Sequence, residues 1–253
     1  VALVIDIEQR IRHAATDETL RAAASEIWKR VAPTIFSQNH ERNGLRVSDA
    51  GNCVRQVFAK VNGTPESFES QVQLFNLDEG TMTGAWWACL LAASLDADGW
   101  FCEFEPTVAY DGIPGHIDLF FRDTTDDKYE WEREEGVVEF KKTGSWKAAP
   151  QRWHVLQLCT YLAAKGVEDG AVVSIAPAAK VDKVAVTWYK LSEQREAIEA
   201  EWARLSAALG PVEPVEDVNT NERFRCKGCI VKACTLNDDY VPDILPQLEN
   251  SLR

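Results

Sequence analysis

"GVVEFKK", residues 136–142, is the stretch on which the fold turns. Its β-branched and aromatic residues predict a strand. Glu139 and Lys141 lie two residues apart and therefore share one face of it. "GHIDLFF", residues 115–121, predicts a strand just before it that carries Asp118. "WFCEFEPTVAY", residues 100–110, predicts another, with Glu103 and Glu105 on a common face. Downstream, "APQRWHVLQLCTYLAAKG", residues 149–166, has a helical pattern, with Pro150 tolerated in the first turn and Gly166 as its stop. Trp153, Gln157 and Tyr161 recur every four residues and form one ridge of that helix.

Outward from this centre the pattern continues. "TDETLRAAASEIWKRVAPTIF" predicts a helix opened by Thr16 or Asp17 and ending near Pro33. A short helix opened by Ser48 or Asp49 follows, then a buried helix from about Gly80 to Leu95, in which Trp86 and Trp87 are packing residues. After the central elements, "AVVSIAP" and "VDKVAVTWYKL" predict strands, and "SEQREAIEAEWARLSAALG" an amphipathic helix capped by Ser192. Helices, three strands, a helix and two strands make a mixed sheet flanked by helices.

The 253 residues, 45% apolar, suffice for one α/β domain. We divide it into a helical extension (1–45), a core (46–210) and a C-terminal segment (211–253). No apolar run approaches the roughly 20 residues of a membrane helix, and the N-terminus lacks a signal-peptide pattern, so a cytoplasmic protein without a membrane partner is expected. The net charge of −13 argues against a phosphate-gripping surface overall. Much of the acidity is local, however: residues 122–136, "RDTTDDKYEWEREEG", hold seven carboxylates against three basic residues and read as a solvated loop or hairpin tip. Basic residues group in "FKKTGSWKAAPQRWH" and "ERFRCKGCIVK".

The chemistry rests on combination. Asp118, Glu139 and the Phe140 carbonyl suit a hard divalent ion, with Lys141 orienting or deprotonating a water and offsetting phosphate charge. Gln157 would hold that water or a phosphate oxygen, and Tyr161 or Trp153 would stack on an unpaired base. A lone E-x-K triplet is most often a solvated strand face, and a lone G-x-x-D most often a turn. His116 shares Asp118's parity, yet a surface or satisfied core histidine is the simpler reading. Trp146 is a packing residue before it is a stacking one.

Seven cysteines without a secretory signal suggest reduced thiols, some of them ligands. Cys226, Cys229 and Cys234 crowd into "RCKGCIVKAC", while Cys89, Cys102 and Cys159 sit in apolar patterns and read as core. Three thiolates are one short of a tetrahedral zinc or iron–sulfur site, and no histidine follows His154.

The series "GHID", "VVEFKK" and "QLCTY" resembles the PD-(D/E)XK nuclease superfamily, in its RecB-like branch with a trailing Q-x-x-x-Y motif. "GNCVRQVFAKVNG", residues 51–63, and the C-terminal cysteines resemble the CRISPR-associated and phage-encoded exonucleases and AddB-type subunits of that branch. The resemblance covers about residues 46–234. It implies a restriction-endonuclease-like core with Asp118 and Glu139 as metal ligands, Lys141 as the catalytic lysine and Gln157 and Tyr161 as an accessory pair. It also implies a [4Fe–4S] cluster on Cys53, Cys226, Cys229 and Cys234 that joins the N- and C-terminal flanks. The family's G-x-x-x-H element departs here: "GTMTG" places Gly84 at its histidine, for which Glu105 or water would have to compensate.

The expected function is a Mg²⁺- or Mn²⁺-dependent exonuclease acting on single-stranded DNA ends, in the host cytoplasm if phage-encoded. Related folds sometimes form rings around DNA, so the resemblance admits a homo-oligomer. Two rivals stand beside this expectation: a nucleic-acid-binding or assembly subunit with little or no catalysis, and a zinc-stapled interaction protein.

Overall fold

The computed structural model describes residues 5–37, 44–63, 71–124, 134–143, 149–176 and 183–209, and of residues 71–79 the backbone alone. Cys226, Cys229, Cys234, Trp146 and most of the acidic run lie outside the described residues.

The centre is a five-stranded sheet ordered β1-β4-β5-β6-β7, from β1 (Trp100–Phe104), β4 (Leu119–Asp123), β5 (Glu135–Lys142), β6 (Asp169–Ile175) and β7 (Val184–Lys190). Only β5 and β6 pair in parallel, because α5 (Arg152–Lys165) carries the chain back between them; the other pairings are antiparallel. A second, two-stranded sheet pairs β2 (Thr107–Tyr110) with β3 (Ile113–His116).

Strand alternation sorts the sheet's side chains into two cores. On one face Leu119, Phe121, Val138, Phe140, Ala171 and Val173 pack against α1 (Ile7–Thr16), α2 (Glu18–Ser37) and α4 (Gln71–Asp96). Every residue of α4 from Trp87 to Leu95 is buried, as befits a helix that is apolar almost all round. On the other face Phe120, Val137 and Val172 pack against α3 (Val54–Val61), α5 and α6 (Leu191–Ala208). Trp202 on α6 donates its indole N–H to Thr160 Oγ1 on α5 at 3.0 Å, which fastens these two helices.

Several expectations need correction. The run 100–110 is not one strand: Glu105 takes a left-handed φ of 48°, and the chain leaves β1 for the second sheet. For the same reason "GHIDLFF" is split between β3 and β4, and Asp118 lies in neither. The chain has to change sheets twice within fifteen residues, a long-range requirement that residue propensity does not encode. The N-terminal region holds two helices, with Asp17 accepting from the Leu20 N–H at 2.9 Å to open the second, and α2 runs through Pro33. Ser48 and Asp49 belong to a 3-10 helix, Val47–Asp49, while α3 begins at Val54 behind Cys53. The buried helix starts at Gln71 rather than about Gly80, and α5 starts at Arg152, which leaves Pro150 before the helix rather than in its first turn; Gly166 ends α5 in the left-handed region, as expected. Ser192 does not cap α6; Lys190 is at that position, and Ser192 donates through both N–H and Oγ to Glu168.

Candidate active site

Asp118 sits in the bend between β3 and β4. Register brings it to the sheet: Leu119 pairs with Val138, so the next step along both strands sets Asp118 beside Glu139. The Phe140 N–H seals that step by donating to Asp118 Oδ2 at 2.7 Å. On the other flank the Glu105 N–H points to the Asp118 carbonyl at 3.5 Å. Three adjacent chain segments thus deliver Glu105, Asp118 and Glu139 to one place.

Lys141 lies on the same face of β5 as Glu139, and its Nζ donates to Glu139 Oε1 at 2.5 Å. Glu139 is 1% exposed, and its second oxygen, Oε2, is buried with no hydrogen-bond partner among the described residues. A buried carboxylate oxygen left without a donor is costly, so this atom marks where a cation or proton belongs.

The electrostatics agree with that geometry. Burial, reinforced by Asp118 and opposed by Lys141, pushes the Glu139 carboxyl up to about 8. Burial, then the charges of Asp118 and Glu139, push Glu105 up to about 8 as well. Asp118 is raised by burial against the opposing pull of Lys141 and the Phe140 N–H. Burial disfavours the Lys141 ammonium, but Glu139 and Asp118 outweigh it and raise its pKa. Three crowded carboxyls share one ammonium, and they cannot all ionise unless further positive charge arrives.

The helix ridge closes the site. Gln157 Nε2 donates to Tyr161 Oη at 3.2 Å, and Tyr161 is buried, with its hydroxyl raised well above its ordinary range by burial and then by Glu139. Gly115 explains how the ring reaches so far: a Cβ there would stand 2.6 Å from Tyr161 Cε1 and 2.8 Å from Val47 Cβ. The glycine of "GHID" is thus a contact surface for the tyrosine of "QLCTY", and its spacing from Asp118 was the signal.

Other candidates are placed elsewhere. Glu103 pairs with Lys165 at 3.1 Å, and His116 sits in the second sheet with Nδ1 3.4 Å from Thr107 Oγ1, so its shared parity with Asp118 is lost at the bend between β3 and β4. Trp153 packs on Gly51. Cys89 and Cys159 are buried in the core and their thiols pushed up to about 12 by burial; Cys102 is half-buried and also raised to about 12. Gly84 of α4 borders the site from the opposite face: a Cβ there would stand 3.5 Å from Phe140 Cβ and 3.9 Å from its carbonyl oxygen.

Among the described residues no three His, Cys, Asp or Glu side chains close into a ready-made metal cage. Asp118, Glu139 and the Phe140 carbonyl nonetheless fit Mg²⁺ or Mn²⁺, because such an ion is held by one or two carboxylates and keeps several waters. Of the four cysteines expected to hold an iron–sulfur or zinc group, the described residues include one, Cys53. It is half-buried at the start of α3, outside both apolar cores.

The fold is similar to the crystal structure of SSO0001, with 20% identity, 83% of this chain and 94% of that chain covered, and a TM-score of 0.52. Matches also include an alkaline exonuclease, LHK-Exo from Laribacter hongkongensis, at 14% identity, covering 66% and 90% of the two chains with a TM-score of 0.34. LHK-Exo in complex with dAMP matches at 15% identity, covering 62% and 79%, with a TM-score of 0.37. No family model and no curated protein matches the chain. The likeness to SSO0001 supports the fold, a mixed sheet flanked by helices, and leaves the chemistry to be argued from the site's own residues.

Proposed function

We propose that this protein is a divalent-metal-dependent deoxyribonuclease of the PD-(D/E)XK type, RecB-like, acting as an exonuclease on single-stranded DNA ends. The observation that carries the reading is the buried Glu139 Oε2 beside Asp118 and Lys141, an open carboxylate oxygen next to a lysine two residues away.

Asp118, Glu139 and the Phe140 carbonyl would hold Mg²⁺ or Mn²⁺, which supplies Lewis-acid polarisation of a phosphate oxygen. Lys141 orients the attacking water and offsets the charge that builds on the phosphate oxygens. Gln157, which donates to Tyr161, would hold that water or a phosphate oxygen. Glu105, raised to about 8, is able to carry a proton there. In this reading a [4Fe–4S] cluster on Cys53, Cys226, Cys229 and Cys234 is structural, holding the flanks of the core.

The test is digestion of end-labelled single- and double-stranded DNA by purified protein with Mg²⁺ or Mn²⁺. Asp118→Ala and Lys141→Ala are expected to abolish it; undiminished activity in both refutes the assignment. Gly84 and the −13 charge favour a second reading, a DNA-binding subunit of the same fold with little catalysis. Binding without digestion by the wild-type protein would select it.

A further inference from the structure

Towards β1, the sheet face that carries Glu139 and Lys141 ends in an exposed ring. Strand register sets Phe101 beside Arg122, and Glu103 beside Phe120 and then Val137, all on that face. Phe101 is 45% exposed, the one exposed Phe, Tyr or Trp among the described residues. The Arg122 guanidinium carbon stands 5.8 Å from the centre of its ring. Arg122 Nε is buried without a hydrogen-bond partner among the described residues, and no ion pair joins Arg122 to Glu135, its neighbour across β4 and β5.

A single exposed ring is ordinary on a protein surface. What singles out this one is the cation beside it and its place in the fold. Phe101 lies four residues along β1 from Glu105, and Arg122 four residues along β4 from Asp118, so ~13 Å of strand separates the pair from the candidate active site. Midway, Lys165 at the end of α5 sets Nζ 4.2 Å from the centre of the Phe120 ring and pairs with Glu103 Oε2 at 3.1 Å. The strip therefore runs from the carboxyls and Lys141, past a second ammonium, to an aromatic ring with a guanidinium.

We infer that Phe101 and Arg122 form a stacking platform for an unpaired base of the DNA strand that reaches Asp118 and Glu139. A base offers a flat apolar face that stacks on a phenyl ring, and an arginine beside the ring adds to the attraction. Aromatic side chains on an open sheet face hold unpaired bases in the same way in other nucleic-acid-binding folds. Bases inside a duplex are already stacked on both faces and cannot use such a platform. The net charge of −13 opposes binding through phosphates alone, whereas stacking carries no such penalty. The aromatic residues on the α5 ridge do not serve: Tyr161 is 3% exposed, and Trp153 packs on Gly51. A span of ~13 Å covers about two to four nucleotides, at 3.4 Å each in a stacked strand and more in an extended one. The inference rests on the reading of this chain as a protein that acts on single-stranded DNA, and adds the subsite that recognises the unpaired strand.

The experiment measures equilibrium binding of a dye-labelled short single-stranded DNA to the full chain, without divalent metal so that no digestion intervenes. The same DNA is then made with one base removed, at each position in turn from either end. Wild type is compared with Phe101→Ala, Phe101→Trp and Arg122→Gln, and each is also given a duplex of the same sequence. Phe101→Ala is expected to bind the single strand about 5- to 150-fold more weakly, the loss of one base–aromatic stack. Phe101→Trp should bind at least as tightly as wild type, and Arg122→Gln should fall between wild type and Phe101→Ala. Removing one particular base, about two to four nucleotides from an end, should weaken wild type and leave Phe101→Ala unchanged. The duplex should bind wild type and Phe101→Ala alike.

A wild-type chain that binds no single-stranded DNA overturns the proposed function and the platform together. Single-strand binding that passes every test, with no digestion once Mg²⁺ or Mn²⁺ is added, removes the nuclease reading and leaves the platform standing. Phe101→Ala binding as tightly as wild type overturns the platform alone. So does a Phe101→Ala protein weakened equally towards single strand and duplex, or one that still responds to the missing base. Should Phe101→Ala not fold, a wild-type protein indifferent to base removal at every position overturns the platform without any variant.

Discussion

The Phe140 N–H donates to Asp118 Oδ2 across 2.7 Å, tying the bend after the second sheet to the strand that bears Glu139 and Lys141. One carboxylate therefore has two tasks, to fasten the bend and to face a cation. The tasks separate by substitution. Asp118→Asn keeps an acceptor oxygen, whereas Asp118→Ala leaves the Phe140 N–H unsatisfied, so the alanine variant should be less stable by about 1–3 kcal/mol. Both should lose nuclease activity by ~10²-fold or more. Denaturant melts beside digestion assays check this; equal stability of the two variants would remove the fastening role.

Glu139 and Glu105 set a pH dependence. Both are held up to about 8 in the folded protein, against an ordinary glutamate value near ~4.3 in the unfolded chain. Between those limits the folded state binds more protons, so stability of the metal-free protein should fall as pH rises from about 4.5 to about 8 and level off above. Lys141, also raised, contributes stability that is present at these pH values and is lost only as pH rises through its folded pKa. Glu139→Gln should reduce the slope, and Glu105→Gln in addition should remove most of it. Stabilisation by Mg²⁺ should grow over the same interval, since the ion displaces those protons. Thermal melts from pH 5 to 8.5, with and without Mg²⁺, decide; a slope of the opposite sign refutes the assignment of these groups.

Gly115 is expected to accept no side chain. An added Cβ would meet the Tyr161 ring at 2.6 Å and Val47 at 2.8 Å, and buried neighbours on two sides leave little room to yield. Gly115→Ala should cost about 1–3 kcal/mol and displace Tyr161. Tyr161→Phe, which keeps the ring and loses the bond from Gln157, should cost less. A Gly115→Ala protein as stable as wild type contradicts this.

Gly84 offers the converse case. A Cβ there stands 3.5 Å from Phe140 Cβ, an ordinary contact, so a larger residue has a place to begin. Gly84→His should fold and should lower the Mn²⁺ concentration needed for half-maximal digestion. A metal titration with no shift would separate position 84 from the ion.

Local periodicity was enough to read Glu139 and Lys141 on one strand face and Gln157 with Tyr161 on one helix ridge, because each pair is fixed by the repeat of its own element. Asp118 was found as a residue and misread as a strand position. Its setting depends on Glu105 turning left-handed and sending the chain into a second sheet. The Glu201–Arg204 pair is visible as an i, i+3 pair on an amphipathic helix, but nothing in that spacing says that its partner is a turn at Gly51. Ser192 failed as a cap because Glu168, from the loop before β6, claims it.

By itself the sequence determined the order and type of the main elements, the mixed sheet they build and the donor atoms available to a metal. Those follow from side-chain period and chemistry, which each segment carries within itself. Tertiary structure alone decided that three carboxyls from three segments crowd one lysine, that Gly115 receives Tyr161, and that α6 grips the turn before Cys53. Those depend on strand register and helix packing across separations of up to 152 residues, where a hydrogen bond is set by the whole fold rather than by its neighbours in sequence.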